Sequence, residues 1–348
     1  DCDGSFDWVP NATRPMILLD NNDLKQIEHS NLAVTAEPTE VISINDNGGQ
    51  GGFDFRRVSL SGTAGSGAYA VDPHFWETSN DPTSRVALLS RRHTEVMLID
   101  FNNWPKDVYA DPQTVSGRAA WYSFAFLMRT AAATLLDVDI QELQAGIRTV
   151  ELEGTPRGQI FLTDTLENGA GYCRWLADSK NVSKLLASAT HTDSTGLVSK
   201  WIQEAHAHQC DTSCNRCLQD YYNMQYHGLL DWRLALDMIS LAKSAETQIG
   251  ISLQDGATHS HWSNLTGGSN APISRTLKQF GYEFNPDYTL SVFVNDHRNR
   301  ALVSKHPLWS NSHKSLTKTI AKIQEQHPKY EVEAMDIFVA VRRPGDFL

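Results

Sequence analysis

Three of the five cysteines in this 348-residue chain, Cys210, Cys214 and Cys217, lie within eight residues of one another. Three thiolates so close together can bind one tetrahedral ion, because Zn–S bonds measure about 2.3 Å and a turn lets such side chains converge. The fourth ligand must come from elsewhere, and Cys173 is the obvious supplier, which gives the spacing C-x36-C-x3-C-x2-C. His206 and His208 are rival fourth ligands just before Cys210, although an Ala-His-Ala-His-Gln run is often only a polar helix end. The spacing predicts a structural Zn²⁺ site.

A disulfide framework is the competing interpretation of the same cysteines. The odd number of cysteines and the lack of any secretory feature disfavour it, because clustered cysteines in an intracellular chain more often bind metal. The chain begins at Asp1 with no initiator Met and no charged-then-apolar leader, so we expect a piece of a longer cytoplasmic protein.

Cys173 follows a Gly-containing turn, Asn168–Tyr172, after a strand-like run at Ile160–Thr163. Apolar residues recur at helical spacing beyond it, so Cys173 is expected at a helix N-terminus, where the backbone dipole favours a thiolate. A Gly-flanked thiol at such a position could instead be a catalytic nucleophile with a His base. That alternative leaves the other three cysteines unexplained, and a closed four-sulfur zinc site is structural, not hydrolytic.

The charge balance limits what the whole surface can bind. Acidic residues outnumber basic ones by 41 to 30, for a net charge of -11, which argues against a protein that coats nucleic acid with its entire surface. No apolar run approaches the ~18 residues of a membrane span, so no membrane partner is expected. The chain contains no Gly-Lys dipeptide and therefore no Walker A loop, so we expect no ATPase activity in it.

Hydrophobic periodicity divides the chain into three segments of a mixed α/β protein. Residues 1–110 form a β-rich segment with two strands flanking a basic hairpin tip, and the pattern places these features at Val41–Ile44, Phe53–Phe55, Val86–Leu89, Val96–Phe101 and the tip Arg91–His93. Residues 111–245 form a helical unit around the zinc site, with a long helix beginning near Gly117.

Residues 246–348 are predicted to be a small α+β part, which a polar stretch at Asp255–Asn270 separates from the centre. A hairpin over Leu290–Val303, a helix around Leu316–Ile323 and a closing strand at Ile337–Val341 are expected. Residues 296–329 contain seven basic and two acidic residues, a net +5 within an acidic chain. This makes a local DNA face, with Trp309 available for stacking, as plausible as an ordinary solvated helix; its expected members are Arg298, Arg300, Lys305, Lys314, Lys318 and Lys322.

Several motifs stand in the order His93–Val96, Leu135–Val138, Ile160–Asp164, Gly169–Cys173 and Cys210–Trp232. Together they resemble the MrfA-like zinc-binding domain, which closes the C-terminal part of MrfA-type superfamily 2 DNA-repair helicases and occurs in the DrmB subunit of the DISARM phage-defence system. The resemblance implies that Cys173, Cys210, Cys214 and Cys217 are the four Zn²⁺ ligands. It also implies work on DNA beside a helicase motor, carried upstream in the same polypeptide or on a partner subunit.

The chain departs from that family in two places. Asn168 stands where the family commonly has a second glycine, and the last ~100 residues lie outside the resemblance.

From the zinc site and the resemblance together, we expect an accessory region that positions DNA or a partner chain and is not itself an enzyme. Two alternatives remain: a metal-dependent nuclease in the C-terminal part that uses Asp287, Asp296 and Lys305, and a purely architectural subunit.

Overall fold

The computed structural model describes residues 14–19, 24–45, 53–59, 67–70, 84–190, 196–251 and 261–348. The predicted mixed α/β class is confirmed: the N-terminal part is rich in β-strands and helices occupy the centre. A smaller unit of strands and helices forms the C-terminal part.

A six-stranded sheet dominates the N-terminal half, with strand order β1-β3-β7-β9-β8 and β2 paired to β3. A separate three-stranded sheet has the order β5-β4-β6. The bounds of these strands are β1 Arg14–Ile17, β2 Lys25–Gln26, β3 Leu32–Asn45, β4 Phe53–Ser59, β5 Gly67–Ala70, β6 Ser84–Val86, β7 Leu88–Phe101, β8 Leu143–Leu152 and β9 Thr155–Asp164.

The predicted hairpin tip at Arg91–His93 is wrong, because β7 runs unbroken through it. Strands β3 and β7 pair antiparallel from Leu32 opposite Phe101 to Asn45 opposite Leu88. Arg92 donates hydrogen bonds to Gln144 Oε1 (2.7 Å) and Thr163 Oγ1 (2.9 Å). A basic residue can stand inside a strand when neighbouring strands supply acceptors for its donors. The sequence after Ile44 is rich in turn-forming residues, at Asn45–Gly49, and this segment lies mostly outside the described residues.

Helix α1 (Val115–Leu136) fills the space against this sheet, where a helix was predicted from Gly117 onward. The Thr114 hydroxyl accepts from the Gly117 N–H and begins the helix, and Asp137, with a left-handed φ of 55°, ends it. Its central residues are buried almost all the way round, which makes α1 a core helix and not a surface one.

Short helices surround α1 and carry the connections to the cysteine-rich loop. Helix α1 packs on α3 and α6. The central helices are α2 Tyr172–Leu176, α3 Ser179–Thr190, α4 Ser199–Ile202, α5 Glu204–Ala207 and α6 Trp232–Lys243, with 3₁₀ turns at Ile140–Glu142 and Tyr221–Tyr226.

The C-terminal part contains a four-stranded sheet of order β10-β11-β12-β13, and the predicted hairpin is its β11–β12 pair. The closing strand predicted at Ile337–Val341 is wrong, because those residues form a helix. Asp336 accepts from the N–H groups of Phe338 and Val339 and starts that helix as an N-cap. The elements are α7 Ser263–Thr266, α8 Pro272–Lys278, β10 Glu283–Asn285, β11 Val292–Asn295, β12 Arg300–Lys305, α9 Lys314–Gln326, β13 Glu331–Asp336, α10 Ile337–Arg342 and a 3₁₀ turn Pro344–Phe347.

One cluster of buried side chains contains residues from all three predicted segments. Trp309, expected on the surface as a stacking residue, is part of that cluster: its indole is 3% exposed and donates to the Ile249 carbonyl at 2.8 Å. The division at residues 110 and 245 remains a prediction about folding units. Within the described ranges, no helix combines the length and apolar composition that a membrane crossing requires.

Candidate metal centre

Four side chains converge beside the N-terminal end of α6. The Nε2 atom of His206 and the Sγ atoms of Cys210, Cys214 and Cys217 all lie within 4.8 Å of one another. Cys214 Sγ lies 3.9 Å from Cys217 Sγ and 3.5 Å from His206 Nε2. Tetrahedral bonds of about 2.3 Å to sulfur and 2.0 Å to nitrogen require donor separations of about 3.8 Å between sulfurs and 3.5 Å between sulfur and nitrogen. The two separations at Cys214 therefore fit one small tetrahedral ion.

His206 is prepared as a ligand by the hydrogen bond on its other ring nitrogen. Nδ1 lies 2.8 Å from the carbonyl oxygen of Trp201, so Nδ1 carries the proton and the Nε2 lone pair points toward the sulfurs. Burial lowers the pKa of His206, which keeps the imidazole neutral near pH 7. The ring also packs edge-on against Trp232, with centroids 5.4 Å apart.

The backbone of the cysteine loop points donors at the sulfur atoms. The Cys214 N–H donates to Cys217 Sγ at 3.1 Å, and the Arg216 N–H reaches Cys214 Sγ at 3.4 Å. Hydrogen bonds of this kind favour thiolates over thiols. A hydrogen bond from Cys217 lowers the pKa of Cys210 to about 7, and the same contact raises the pKa of Cys217. The sulfurs therefore form one electrostatically linked group.

Two side chains of α6 hold the start of the cysteine loop by hydrogen bonds to its carbonyl groups. Trp232 Nε1 donates to the Cys210 carbonyl at 3.0 Å. Arg233, fully buried, donates to the carbonyls of Cys210 (3.3 Å), Asp211 (2.9 Å) and His261 (2.9 Å). Its guanidinium lies 4.4 Å from the Trp232 ring centre. The backbone at Cys210, Asp211 and His261 is thereby held to one helix.

The structure and the sequence-based ligand set differ in one member. Cys210, Cys214 and Cys217 come together as predicted, but the fourth donor within reach is His206, and Cys173 lies outside the cluster. The Cys173 side chain is completely buried, and its Sγ donates to the Leu162 carbonyl at 3.2 Å. His206 sits four residues before Cys210, a spacing that puts two side chains on the same side of a helical turn and could have favoured it from sequence.

Cys173 lies in the first turn of α2 as expected, but its surroundings disfavour a thiolate. The carboxylate of Asp164 already occupies the anion position at this helix start and accepts from the N–H groups of Ala170 (2.8 Å), Gly171 (2.8 Å), Tyr172 (3.1 Å) and Cys173 (3.0 Å). Burial, followed by the charge of Asp164, raises the pKa of the Cys173 thiol well above its usual value. A nucleophilic role would require the opposite shift.

Asn168, where the sequence resemblance leads one to expect a glycine, adopts the left-handed conformation with φ of 66°. Asn tolerates this region better than most other non-glycine residues, so it can occupy a position that otherwise favours glycine. Gly169 and Gly171 follow with φ of 75° and 86°, and the loop thus delivers four N–H groups to Asp164.

The six basic residues of the expected DNA face fall into two groups. Arg300 is neutralised by Glu333 (2.7 Å), and Lys305 donates to Asn311 (3.0 Å). Arg298, exposed, stands in the β11–β12 turn. Lys314, Lys318 and Lys322, by contrast, line one cavity on α9.

The residues of the nuclease alternative make separate contacts. Asp296 accepts a hydrogen bond from the Tyr330 hydroxyl, whereas the backbone carbonyl of Asp287 accepts one from Lys322.

The fold and the cluster define a mixed α/β protein with a compact His-Cys₃ centre that could hold a metal ion. No protein-family model matches the chain. Over 128 residues the chain is 31% identical to Druantia protein DruE of Escherichia coli (strain UMEA 4076-1). That match covers 35% of this chain and 6% of the relative, so the chain spans only a small fraction of that protein's length.

Among solved structures, the chain overlaps with the crystal structure of the DUF1998 helicase MrfA bound to DNA. The overlap has a TM-score of 0.34 and 10% sequence identity, and it covers 66% of this chain and 25% of the helicase chain. The narrower assignment to the MrfA-like zinc-binding domain, and with it DISARM, remains a prediction from the sequence motifs.

Proposed function

We propose that this chain is a zinc-stabilised accessory region that works beside a DNA helicase motor carried elsewhere, and that it helps to position DNA or a partner chain. The observation that carries the proposal is the converging set of His206, Cys210, Cys214 and Cys217. The setting, DNA repair or phage defence in the cytoplasm, follows from the motif resemblance and is part of the same proposal.

The donor set fits Zn²⁺ in both chemistry and dimensions. Three sulfurs and one imidazole nitrogen are a common structural zinc set, and soft thiolates disfavour Mg²⁺ and Ca²⁺. Four protein donors leave no open coordination position for water or substrate, so the ion would act as a structural element. It would tie α5 and the cysteine loop to α6 through Trp232 and Arg233.

The accessory character is supported by the length of the relative. The 128 matched residues make up only 6% of DruE, so a similar region occurs inside a much longer protein. The absence of a Gly-Lys dipeptide in the sequence supports a motor located outside this chain. DNA contact is supported by three lysines of α9, Lys314, Lys318 and Lys322, which line one cavity. They concentrate positive charge locally on a chain that is acidic as a whole.

Metal analysis of the purified full chain tests the zinc part. We expect about one zinc per chain, lost in Cys214→Ser together with much of the stability. Cys173→Ser is the matched control, since it removes a cysteine outside the cluster, and it should retain the metal. A folded metal-free chain, or loss of zinc in Cys173→Ser with retention in Cys214→Ser, would contradict the proposed site.

The DNA part is tested separately with the zinc-loaded full chain and a labelled oligonucleotide at low salt. Binding that weakens as salt rises supports a DNA-positioning role, since phosphate contacts release counterions. No binding at low salt would leave the architectural alternative as the better account.

A further inference from the structure

A cavity of about 310 Å³ opens between the first turns of α9 and the loop before β11. Three lysines, Lys314, Lys318 and Lys322, line it. Every other lining side chain among the described residues carries a hydroxyl group, Tyr288 and Thr289 included. The lining therefore combines hydrogen-bond donors with positive charge and brings no carboxylate to oppose it.

This arrangement is unfavourable for the free helix. The lysines stand at i, i+4 and i+8 on one face, and like charges at i,i+4 destabilise a helix by about 0.2–0.5 kcal/mol per pair. Lys314 also occupies the first turn, which contains no acidic residue, and a cation there opposes the helix dipole. Within the described ranges, none of the three lysines is within ion-pair distance of a carboxylate.

One of the lysines is already held toward the cavity. Lys322 Nζ donates to the Asp287 carbonyl at 2.9 Å and lies 4.8 Å from the centre of the Tyr288 ring. The Tyr288 hydroxyl donates to Gln326 Oε1 at 2.8 Å, which fixes the ring against α9. Because this ammonium group is already held in place, less side-chain entropy is lost when a ligand binds.

We propose that this three-lysine cavity binds a phosphate group of a nucleic-acid strand. The inference rests on the proposed function in one respect only, that the strand is DNA. A phosphate group brings several oxygens that three ammonium and several hydroxyl donors can satisfy together, and lysine suits it as a point charge. An anion in the cavity would relieve the like-charge repulsion and the conflict with the helix dipole, so binding gains stabilisation that the free helix lacks.

The test uses the zinc-loaded full chain and a triple variant, Lys314→Gln/Lys318→Gln/Lys322→Gln. The control triple, Lys106→Gln/Lys180→Gln/Lys278→Gln, removes the same charge from exposed positions elsewhere. Fluorescence anisotropy with a short single-stranded oligonucleotide, with and without a 5′-phosphate, gives Kd across a salt series. Isothermal titration with inorganic pyrophosphate probes the anion site without DNA.

The α9 triple variant should lose at least tenfold in affinity for DNA. Its log Kd should also depend less steeply on log salt, by about 0.7 for each phosphate that the variant no longer binds. For the control triple, the slope of log Kd against log salt should differ from that of the unmodified chain by less than the about 0.7 expected for one phosphate. A larger loss on the 5′-phosphorylated strand identifies a strand end as the source, and an equal loss on both strands identifies a backbone phosphate. The melting temperature of the α9 variant should stay or rise, because like-charge repulsion is relieved.

The two proposals fail in different ways. If the unmodified chain binds DNA and the α9 variant binds it equally well with the same slope, the cavity proposal is overturned and the DNA-positioning role stands. If no DNA binds while pyrophosphate binds to the unmodified chain and not to the α9 triple variant, the nucleic-acid source is overturned. A variant that melts well below the control would show that these lysines stabilise the fold, against the proposal.

Discussion

Arg342, near the end of the chain, contacts Asp231 at the start of α6, with Nη1 3.3 Å from Oδ2. Asp231 is fully buried; its Oδ1 accepts from the Arg233 N–H at 3.0 Å and caps α6. Arg342 also donates to the carbonyls of Gly228 and Leu230. The C-terminal helix α10 is therefore joined, through one carboxylate, to the helix that holds the metal-ligand loop.

Replacing Arg342 by Ala should destabilise the protein strongly. Burial raises the pKa of Asp231, and the guanidinium of Arg342 is the largest influence that opposes this rise. Without Arg342, the buried Asp231 carboxylate keeps only the more distant guanidinium of Arg233, 3.9 Å away, so we expect a loss of about 3 kcal/mol in urea unfolding. Arg343→Ala is the control, since Arg343 pairs with the more exposed Asp346 at 3.6 Å and should cost under about 1 kcal/mol. Equal losses in both variants would contradict the buried-pair account.

His206→Ala should weaken zinc binding by more than about 100-fold, because even outer-sphere partners of a metal ligand contribute up to that factor. Competition with a chromophoric chelator measures the affinity directly. His208→Ala changes an exposed histidine two residues away and should bind zinc as the unmodified chain does. Cysteine is a competent zinc ligand, so His206→Cys should recover most of the affinity. An unchanged affinity in His206→Ala would point to a ligand set without His206.

Cys173 should resist alkylation in the folded protein. Its thiol is buried and its pKa is raised by burial and by Asp164, so little thiolate exists near pH 8. We expect iodoacetamide labelling, mapped by mass spectrometry, to leave Cys173 unmodified while Cys214 reacts once a chelator is present. Rapid labelling of Cys173 before unfolding would contradict the buried-thiol assignment and revive the nucleophile alternative.

Gly169→Ala should cost more stability than Gly171→Ala, although both glycines have positive φ. A Cβ on Gly169 would stand 2.5 Å from Glu95 Cγ, whereas one on Gly171 meets nothing within 4 Å. We expect about 1 kcal/mol for Gly171→Ala from backbone strain alone, and roughly 2–4 kcal/mol for Gly169→Ala, where a clash is added. Chemical unfolding of the two zinc-loaded variants gives the comparison; equal costs would mean that Glu95 moves freely away.

Asp336 should make the folding stability fall as pH rises above about 4. Burial raises the pKa of Asp336, although the Ser116 hydroxyl (2.6 Å) and two backbone N–H groups hydrogen-bond to the carboxylate. Between the unfolded Asp pKa of about 3.9 and the raised folded value, the folded state keeps a proton that the unfolded state releases. Stability contributed by this group is thus present below pH 4 and lost as pH rises through the folded pKa.

Asp336→Asn isolates this contribution, because the amide oxygen can still cap α10 and does not titrate. We expect the difference in unfolding free energy, unmodified chain minus variant, to fall as pH rises across the same window. The pH dependence of zinc binding is common to both chains and cancels in this difference. A pH-independent difference would show that Asp336 has the same pKa in both states.

Periodicity predicted the long helix α1 and the hairpin of the C-terminal sheet, because each has one strong pattern over its whole length. It failed for Arg91–His93, because Arg92 donates to residues of neighbouring strands that lie far away in the sequence. It failed again at Ile337–Val341, where β-branched and apolar residues favour a strand but the Asp336 cap begins a helix.

Most of the metal centre was visible in the sequence, since the three clustered cysteines follow from spacing alone. That Cys173 lies outside the cluster depends on where α2 lies in space, which spacing along the sequence cannot supply. The helix-start argument for a Cys173 thiolate also lacked the decisive neighbour, because Asp164 stands nine residues earlier and occupies that position itself.

The fourteen-residue pairing of β3 with β7 has a consequence for how the protein can vary. Asn45 and Leu88 stand opposite each other at the end of that ladder, so the chain leaves and re-enters this pair of strands at one point. A change in the length of the connection between them does not shift the register that ends at Phe101. Since closing a loop costs only about 0.6 kcal/mol more for each doubling of its length, such a change should cost little stability and leave the candidate metal centre in place.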